Sequence, residues 1–407
     1  MLCIVAAAGV WGGDAVQGAP ALSSPRAVLL DYETGEILYE KAATEIAYPA
    51  STTKILTVLT VLERYEGSLD DIVTVSSYAA STEGSSAFLL PGQKVPLRTL
   101  LVAVMMMSGN DAAVAVAEHV AGSVEAFAQL MNEVAREAGA TQSNFTNPHG
   151  LPDPNHTTTV LDMALITAYA YQRHPLFAEL ARTRSYSFPW LNGVSTSHNR
   201  FLALIEGADG VKTGWTSASR ATLVGSMTRD GNRLIGVIFG GSSAEVVARE
   251  MVSLMEYGLQ RLALGNLVER NQLVTYLPVA NGEAAEVPAV TGGLIRNPLE
   301  GGRIEQAIAV DEPPEAPIQA GDVIGAVRYY VDGEFYREIP LLAAATVEAA
   351  SEATLAAAGM ASSQSIWQLA LKVVAWAFGI LIAYIVLGIF VRWYRLRRRR
   401  RRYRFYT

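Results

Sequence analysis

Cysteine is nearly absent from this chain: Cys3 is the only one among 407 residues, which excludes an intramolecular disulfide. The sequence also lacks a Gly-x-Ser-x-Gly elbow and a His-Glu-x-x-His pair, so two large hydrolase classes are excluded. His149 and His156 lie in a proline-rich loop without a third close ligand, and we expect them to stabilise that loop. We therefore expect neither a metal nor a cofactor.

Lysine is also scarce, since only five of the thirty-two cationic residues are lysines. A guanidinium keeps its proton in a protein, whereas a buried ammonium can lose it. Two of the five, Lys54 and Lys212, lie in short motifs that also contain hydroxyl side chains. A chain that otherwise prefers arginine is expected to use lysine where a neutral amine is needed.

The charge is distributed unevenly along the chain. The net charge is −7, although nine arginines lie between Arg392 and Arg404; without them, 23 cations face 39 anions, a balance of −16. A strongly acidic body is a poor partner for a polyanion. We therefore expect no binding of nucleic acid.

Both ends of the chain predict export and anchoring. Residues 373–391 form an uncharged apolar run of nineteen residues, flanked by Trp367 and Trp393, within a predicted transmembrane helix at 366–391. The arginine-rich tail at 392–407 predicts a cytoplasmic C-terminus, with everything before the helix outside the cell membrane. Residues 1–21 resemble a signal peptide, although no lysine or arginine precedes Arg26.

The pattern between these ends predicts an α+β protein. Alternation around Glu33-Thr34-Gly35 predicts a hairpin, an apolar helix follows from about Ser51, and residues 98–175 read as an alanine-rich helical lobe. Strands and a helix then follow from Gly207, so both ends of this region build one sheet. We expect a catalytic domain at 22–265, a small β-rich domain at 266–345 and a linker at 346–365.

Lys54 follows Ser51 by three positions. On a helix this spacing places the two side chains on one face, about 5–6 Å apart at Cβ. A serine in the first turn meets unpaired amides and the positive end of the helix dipole, which favour negative charge on its oxygen. Lys54 can act as a base only if burial or a neighbouring cation, such as Lys212, lowers its pKa. Alone, this spacing also fits an ordinary helix start.

Two further motifs complete a possible active site. Ser108-Gly109-Asn110 interrupts an apolar helix; Ser108 could relay a proton, and the Asn110 oxygen could hold Lys54. Lys212-Thr213-Gly214 has strand character, and a glycine inside a strand often marks the close approach of another backbone. The Lys212 and Thr213 side chains would then face a substrate carboxylate, with the amides of Ser51 and Trp215 as an oxyanion hole. Each motif alone is also compatible with an ordinary turn or hairpin.

Together, these motifs resemble those of the penicillin-binding D-alanyl-D-alanine carboxypeptidases. The resemblance runs from about Ala27 to Leu262 and includes Tyr48 to Lys54, Ser108 to Ala113, Asn147 to Leu151 and Asp209 to Thr216. It implies a β-lactamase/transpeptidase-like fold, in which an antiparallel sheet is flanked by helices and carries a helical lobe. It also implies that Ser51 cleaves the terminal D-alanine from peptidoglycan stem pentapeptides, and that penicillins acylate Ser51.

Three alternatives remain at the level of sequence. A class A β-lactamase would need a deacylating glutamate, and no convincing Glu-x-x-x-Asn loop lies between Asn110 and Lys212. An endopeptidase that cuts D-alanyl cross-links would use the same cleft. A catalytically silent, membrane-tethered scaffold that binds the cell wall would not require Ser51 and Lys54.

Overall fold

The computed structural model describes residues 9–11, 18–298, 302–310, 312–351 and 372. These residues group into two compact units. Of these residues, 10–11, 18–268, 294–298 and 302–303 form the N-terminal unit, and 9, 269–293, 304–310, 312–351 and 372 form the β unit.

Most of the described helices lie between residues 54 and 181, and most of the described strands lie from residue 185 onward. The strands are Gly9–Trp11 (β1), Arg26–Asp31 (β2), Ile37–Lys41 (β3), Ile72–Thr74 (β4), Lys94–Pro96 (β5), Ser185–Tyr186 (β6), Ser195–Thr196 (β7), Ala208–Thr216 (β8), Arg220–Arg229 (β9), Asn232–Gly241 (β10), Asn266–Val268 (β11), Leu273–Pro278 (β12), Glu286–Thr291 (β13), Ile295–Arg296 (β14), Gly302–Ala309 (β15), Val323–Val331 (β16) and Glu334–Ala343 (β17). The α-helices are Lys54–Arg64 (α1), Ser77–Ala80 (α2), Leu97–Met106 (α3), Asn110–Ala121 (α4), Val124–Glu137 (α5), Val160–Arg173 (α6), Pro175–Ala181 (α7) and Ala244–Ala263 (α8), and short 3₁₀ helices occupy Ala50–Thr53 and Arg200–Ala203.

A five-stranded antiparallel sheet in the order β3-β2-β10-β9-β8 is the centre of the N-terminal unit. Successive residues of β2 pack on opposite faces: Val28 joins the core shared with the helical lobe, and Leu29 joins the core beneath α8. Because both faces are covered, the strands are apolar on both sides. The predicted sheet, made from both ends of this region, is confirmed.

The helical lobe is built around α1. Every residue of this helix from Lys54 to Val61 is buried, as expected for a helix surrounded by α3, α4, α5 and α6. The predicted interruption between α3 and α4 is confirmed, because Ser108 adopts a left-handed backbone with φ of 60°. The lobe therefore presents the start of α1 and the start of α4 close together.

The sheet of the β unit contains the strands β15-β16-β17-β13-β12 in that order. Buried side chains on alternate positions of β13 and β17, such as Val287, Ala289, Leu341 and Ala343, form its apolar face. Residues of the predicted linker up to Ser351 continue along this unit, where Val347 bridges to Ile318. The predicted β-rich fold of this region is confirmed.

Within the described part of the chain, no helix combines the length and apolar character needed to cross a bilayer. The predicted transmembrane helix at 366–391, apart from Lys372, and the predicted cytoplasmic tail lie outside the described residues. The same holds for most of the predicted signal peptide.

Candidate active site

Ser51 lies in the tight turn that precedes α1. Residues Ala50–Thr53 form a 3₁₀ helix that runs directly into α1 at Lys54. Ala50 has a positive φ of 49°, an uncommon conformation for a residue with a side chain. Ser51 is partly exposed, whereas its neighbours Thr52 and Thr53 are buried. The turn thus presents one hydroxyl to solvent at the start of a buried helix, as the sequence predicts.

Lys54 is completely buried and has three polar contacts. Its Nζ lies 3.1 Å from Ser51 Oγ, and it donates to Asn110 Oδ1 and to the His149 carbonyl, each at 2.7 Å. Burial, and then the nearby Lys212 ammonium, hold the pKa of Lys54 well below its ordinary value, while Asp111 opposes this effect. A neutral amine beside a serine hydroxyl can accept its proton.

The turn between α3 and α4 places Asn110 between Lys54 and a surface loop. Asn110 Oδ1 accepts from Lys54, and its Nδ2 donates to the Glu83 carbonyl at 2.6 Å. Ser108 is 5% exposed and lies two residues earlier, within the same turn. The predicted contact between Asn110 and Lys54 is therefore present, and the proton relay through Ser108 stays a prediction.

Asp111 has a role that the sequence did not reveal. Its buried carboxylate accepts hydrogen bonds from the Ser86 hydroxyl and from the amides of Ala87 and Leu89. These hydrogen bonds to the carboxylate hold residues 86–89 against the start of α4. In the sequence alone, this motif was also compatible with an ordinary turn.

Lys212, Thr213, Gly214 and Trp215 lie on β8, the edge strand of the sheet. Lys212 is 1% exposed and donates to the Thr213 carbonyl at 3.0 Å. Burial lowers the pKa of Lys212 to about 7. Trp215, by contrast, is 66% exposed beside this buried amine. The outer edge of β8 pairs with no other described strand, so an extended peptide can add there.

Gly214 lies where β8 contacts the 3₁₀ turn Ala50–Thr53, which contains Ser51 and is called the nucleophile turn below. A Cβ at this position would lie 2.8 Å from the Ser51 amide nitrogen and 3.0 Å from Ala50 Cβ. The backbone that approaches this glycine is thus that of Ser51. The sequence had suggested that a substrate backbone would approach it. The contact brings the Ser51 amide beside the Lys-Thr-Gly strand, as an oxyanion hole formed with Trp215 requires.

The loop from Asn147 to His156 packs against the nucleophile turn. Gly150 has a φ of 86°, and a Cβ there would lie 1.9 Å from the Ala50 carbonyl oxygen. His156 accepts from the Thr146 amide at Nδ1, so its Nε2 carries the proton and donates to Thr53 Oγ1 at 2.8 Å. The loop-stabilising role expected of His156 agrees with these contacts. The hydrogen bond from Lys54 to the His149 carbonyl was not predicted from the sequence.

Ser51, Lys54, Asn110 and the Lys-Thr-Gly strand thus lie together at one site. A partly exposed hydroxyl, a buried amine with a lowered pKa, a second buried amine and an exposed strand edge are the groups that a serine enzyme with a lysine base requires. The chain belongs to the D-alanyl-D-alanine carboxypeptidase family of serine peptidases, peptidase S11, whose model matches residues 14–243. Residues 264–349 match the C-terminal domain of penicillin-binding protein 5.

Curated relatives agree with this family. The chain is 32% identical to D-alanyl-D-alanine carboxypeptidase DacF of Bacillus subtilis over 78% of this chain and 84% of that protein. It is 31% identical to D-alanyl-D-alanine carboxypeptidase DacC of Escherichia coli, over 81% and 86% of the two chains. The family expected from the motifs is confirmed.

Solved structures show the same architecture. Penicillin binding protein 5 from Haemophilus influenzae is 29% identical and superposes with a TM-score of 0.69, over 81% of this chain and 99% of that chain. The Streptomyces K15 DD-transpeptidase, also 29% identical, covers 59% of this chain and 98% of its own, with a TM-score of 0.56. The transpeptidase-like fold and the C-terminal β domain are therefore confirmed.

Proposed function

We propose that this protein removes the terminal D-alanine from peptidoglycan stem pentapeptides. Ser51 Oγ attacks the carbonyl carbon of the penultimate D-alanine while Lys54 takes the hydroxyl proton. The carbon–nitrogen bond then breaks, the protonated amine of D-alanine leaves, and water hydrolyses the ester on Ser51. The observation that carries this proposal is the fully buried Lys54 amine, 3.1 Å from Ser51 Oγ and with its pKa well below the ordinary value.

The remaining residues take supporting roles in this proposal. Asn110 orients Lys54, and Ser108 passes a proton to the leaving nitrogen. Lys212 and Thr213 bind the substrate's terminal carboxylate, and the amides of Ser51 and Trp215 stabilise the oxyanion. Gly214 allows these groups to approach one another.

β-Lactams offer the direct test because they present a reactive amide to the same serine. Mass spectrometry after benzylpenicillin treatment should give one covalent adduct on Ser51, absent in Ser51→Ala, and the wild type should release D-alanine from a pentapeptide. Preferential cleavage of a cross-linked dimer would instead favour an endopeptidase. A folded protein that neither binds penicillin nor releases D-alanine would contradict the proposal.

We further propose that the protein is a single-pass membrane protein. Its catalytic unit lies outside the cytoplasm, and a helix at 366–391 crosses the lipid bilayer. The nineteen-residue apolar run and the nine arginines that follow support this proposal. Protease added to intact spheroplasts should digest the catalytic unit and leave the tail protected; a protected catalytic unit would contradict the orientation.

A further inference from the structure

A cavity lies on the α8 side of the central sheet, at the edge strand β8. Its volume is about 470 Å³, and its lining includes Thr213 on β8, Leu223 on β9 and Ala248 on α8. Phe201 and Leu204, from the second 3₁₀ helix and the residue that follows it, line another wall. This volume is within the range of small-ligand pockets, and a single methyl group would fill only a small part of it.

Thr213 joins the cavity to the proposed active site. Thr213 is paired with Leu223, which packs in the core beneath α8, whereas Lys212 is paired with Val224, which packs in the core shared with the helical lobe. Neighbouring side chains of a strand point to opposite faces of the sheet. A carboxylate bound by both Lys212 and Thr213 therefore lies at the outer edge of β8, and the cavity opens on the Thr213 side of that position.

His198 gives separate evidence that the cavity borders the active site, because it also belongs to the lining. Burial, and then the Lys212 ammonium, lower the pKa of His198, so these two side chains are close enough to repel each other when both are charged. The His198 amide donates to the carbonyl of Met106, two residues before Ser108, at 3.2 Å. The segment that walls the cavity thus connects the Ser-x-Asn turn with the Lys-Thr-Gly strand.

The chemistry of the lining favours an apolar ligand. Phe201 and Leu223 are fully buried and provide apolar surface deep in the cavity. The charged residues of the lining, Arg200, Glu245 and Arg249, are exposed, and the 3.3 Å pair between Arg200 and Glu245 is weakened by water. An apolar side chain would bury its surface here, whereas a cationic one would meet two arginines against one glutamate.

We propose that this cavity receives the side chain of the terminal residue, which leaves in the reaction, and that the protein therefore releases apolar D-amino acids larger than alanine from stem pentapeptides. D-leucine is an example of such a residue. The inference rests on the proposed carboxypeptidase activity and defines the substrate class of that site. The chemical step is unchanged: Ser51 attacks the fourth-residue carbonyl, the carbon–nitrogen bond breaks, and the leaving amine takes up a proton.

Three peptides that differ only in the last residue test this inference. They are L-Ala-γ-D-Glu-L-Lys-D-Ala-D-Ala and the same sequence ending in D-leucine or in D-lysine. We expect kcat/KM of the wild type to be about tenfold higher for the D-leucine peptide than for the D-alanine peptide, because the additional carbon atoms leave water. The D-lysine peptide should be no better than the D-alanine peptide. Chromatography of the released amino acid measures all three rates.

Two variants change the cavity without changing the motifs. Ala248→Phe fills the cavity from α8 and should reduce the tenfold ratio to about one. Leu204→Ala removes a wall side chain that is 50% exposed, and it should reduce the ratio to about three. Leu273→Ala is the matched control, because Leu273 is 52% exposed and lies on β12 in the β unit. It should keep the wild-type ratio, and thermal melting checks that each variant is folded.

The outcomes separate this inference from the proposed activity. If the wild type releases the terminal residue from none of the three peptides, the proposed activity is wrong. If it releases D-alanine but does not prefer D-leucine, or if either folded cavity variant keeps the tenfold ratio, the activity stands and the role of the cavity is refuted. Release of D-lysine as fast as D-leucine would contradict the apolar preference.

Discussion

At the scale of single residues, the chemistry depends on which cation can lose its proton. Lys54 and Lys212 are both buried in the N-terminal unit, and burial is the largest cause of the lowered pKa of each. An arginine in either place would keep its charge at any physiological pH. Both of the lysines that the sequence singled out are thus buried in the folded chain, and their roles stay predictions.

The clearest residue-level prediction concerns Lys54→Arg. This substitution keeps a cation near Ser51 but removes the group that accepts its proton, so penicillin acylation should slow by at least about a hundredfold. In the wild type, acylation should fall as pH decreases through the lowered pKa of Lys54, far below 10.5. Stopped-flow or quenched acylation across pH measures both effects.

Near-normal acylation by Lys54→Arg would contradict the role of Lys54 as base. Lys41→Arg provides a control, since Lys41 lies on β3, where its Nζ donates to the Leu22 carbonyl. That variant should acylate at the wild-type rate.

His156 leads to a prediction about acid stability. Burial lowers its pKa to about 4 from 6.5, so the folded protein holds it neutral while the unfolded chain takes up a proton near pH 6.5. The unfolded state thus binds more protons between these values, and stability falls as pH decreases from 6.5 to 4. The difference corresponds to about 3 kcal/mol at pH 4.

Urea unfolding at several pH values tests this expectation. The free energy of unfolding should decrease toward pH 4 in the wild type, and His156→Gln should make that decrease smaller. His149 is partly buried, its pKa is lowered to about 3, and it still contributes in the variant. An equal slope in both proteins would show that His156 is not the titrating group.

At the scale of secondary-structure elements, most of the fold could be predicted from the sequence. The strands from β8 to β10 and the helices of the lobe follow from period-2 and period-3.6 patterns. The 3₁₀ turn at Ala50–Thr53 could not be predicted from such patterns, because its shape depends on packing against Gly150 and Gly214 rather than on local propensity. Contacts between distant segments have no local pattern that a single sequence could reveal.

Gly150 and Gly193 form a matched pair for testing this packing. Both have a φ of 86°, but a Cβ at Gly150 would lie 1.9 Å from the Ala50 carbonyl oxygen, whereas nothing lies within 4 Å of one at Gly193. Both alanine variants pay about 1 kcal/mol for the left-handed backbone. Only Gly150→Ala should also displace the nucleophile turn.

We expect Gly150→Ala to lower the penicillin acylation rate by more than tenfold and to destabilise the fold by a further 1–3 kcal/mol, about the usual cost of overpacking. Gly193→Ala should acylate at the wild-type rate. Equal stability and equal acylation in the two variants would contradict a supporting role for the loop. Acylation kinetics and thermal melting provide the readouts.

At the scale of the whole molecule, the chain passes from the N-terminal unit to the β unit and then returns to the N-terminal unit for a short segment. Residues 294–298 group with the N-terminal unit although they follow strands of the β unit. There β14 pairs with β11, and Arg296 forms a buried 2.8 Å salt bridge to Asp31 on β2, 265 positions away in sequence. The sequence of this segment resembles its β-rich neighbours, so only the folded structure reveals the return.

The Arg296–Asp31 pair should have a large effect on stability. Arg296→Ala leaves the buried Asp31 carboxylate without its cation, which costs about 3–5 kcal/mol. Adding Asp31→Asn removes the uncompensated charge and should recover part of the loss. Urea unfolding of the single and double variants measures the coupling, and strictly additive effects would contradict it.

The two buried lysines also set the electrical balance of the cleft. Because the charge of Lys212 opposes protonation of Lys54, the resting pocket favours a single positive charge over two. A ligand that ends in a carboxylate would neutralise that single charge, whereas one that ends in an amide would leave it buried and unmatched. Discrimination between free and capped peptide ends would then be a property of the empty enzyme, set before any substrate arrives.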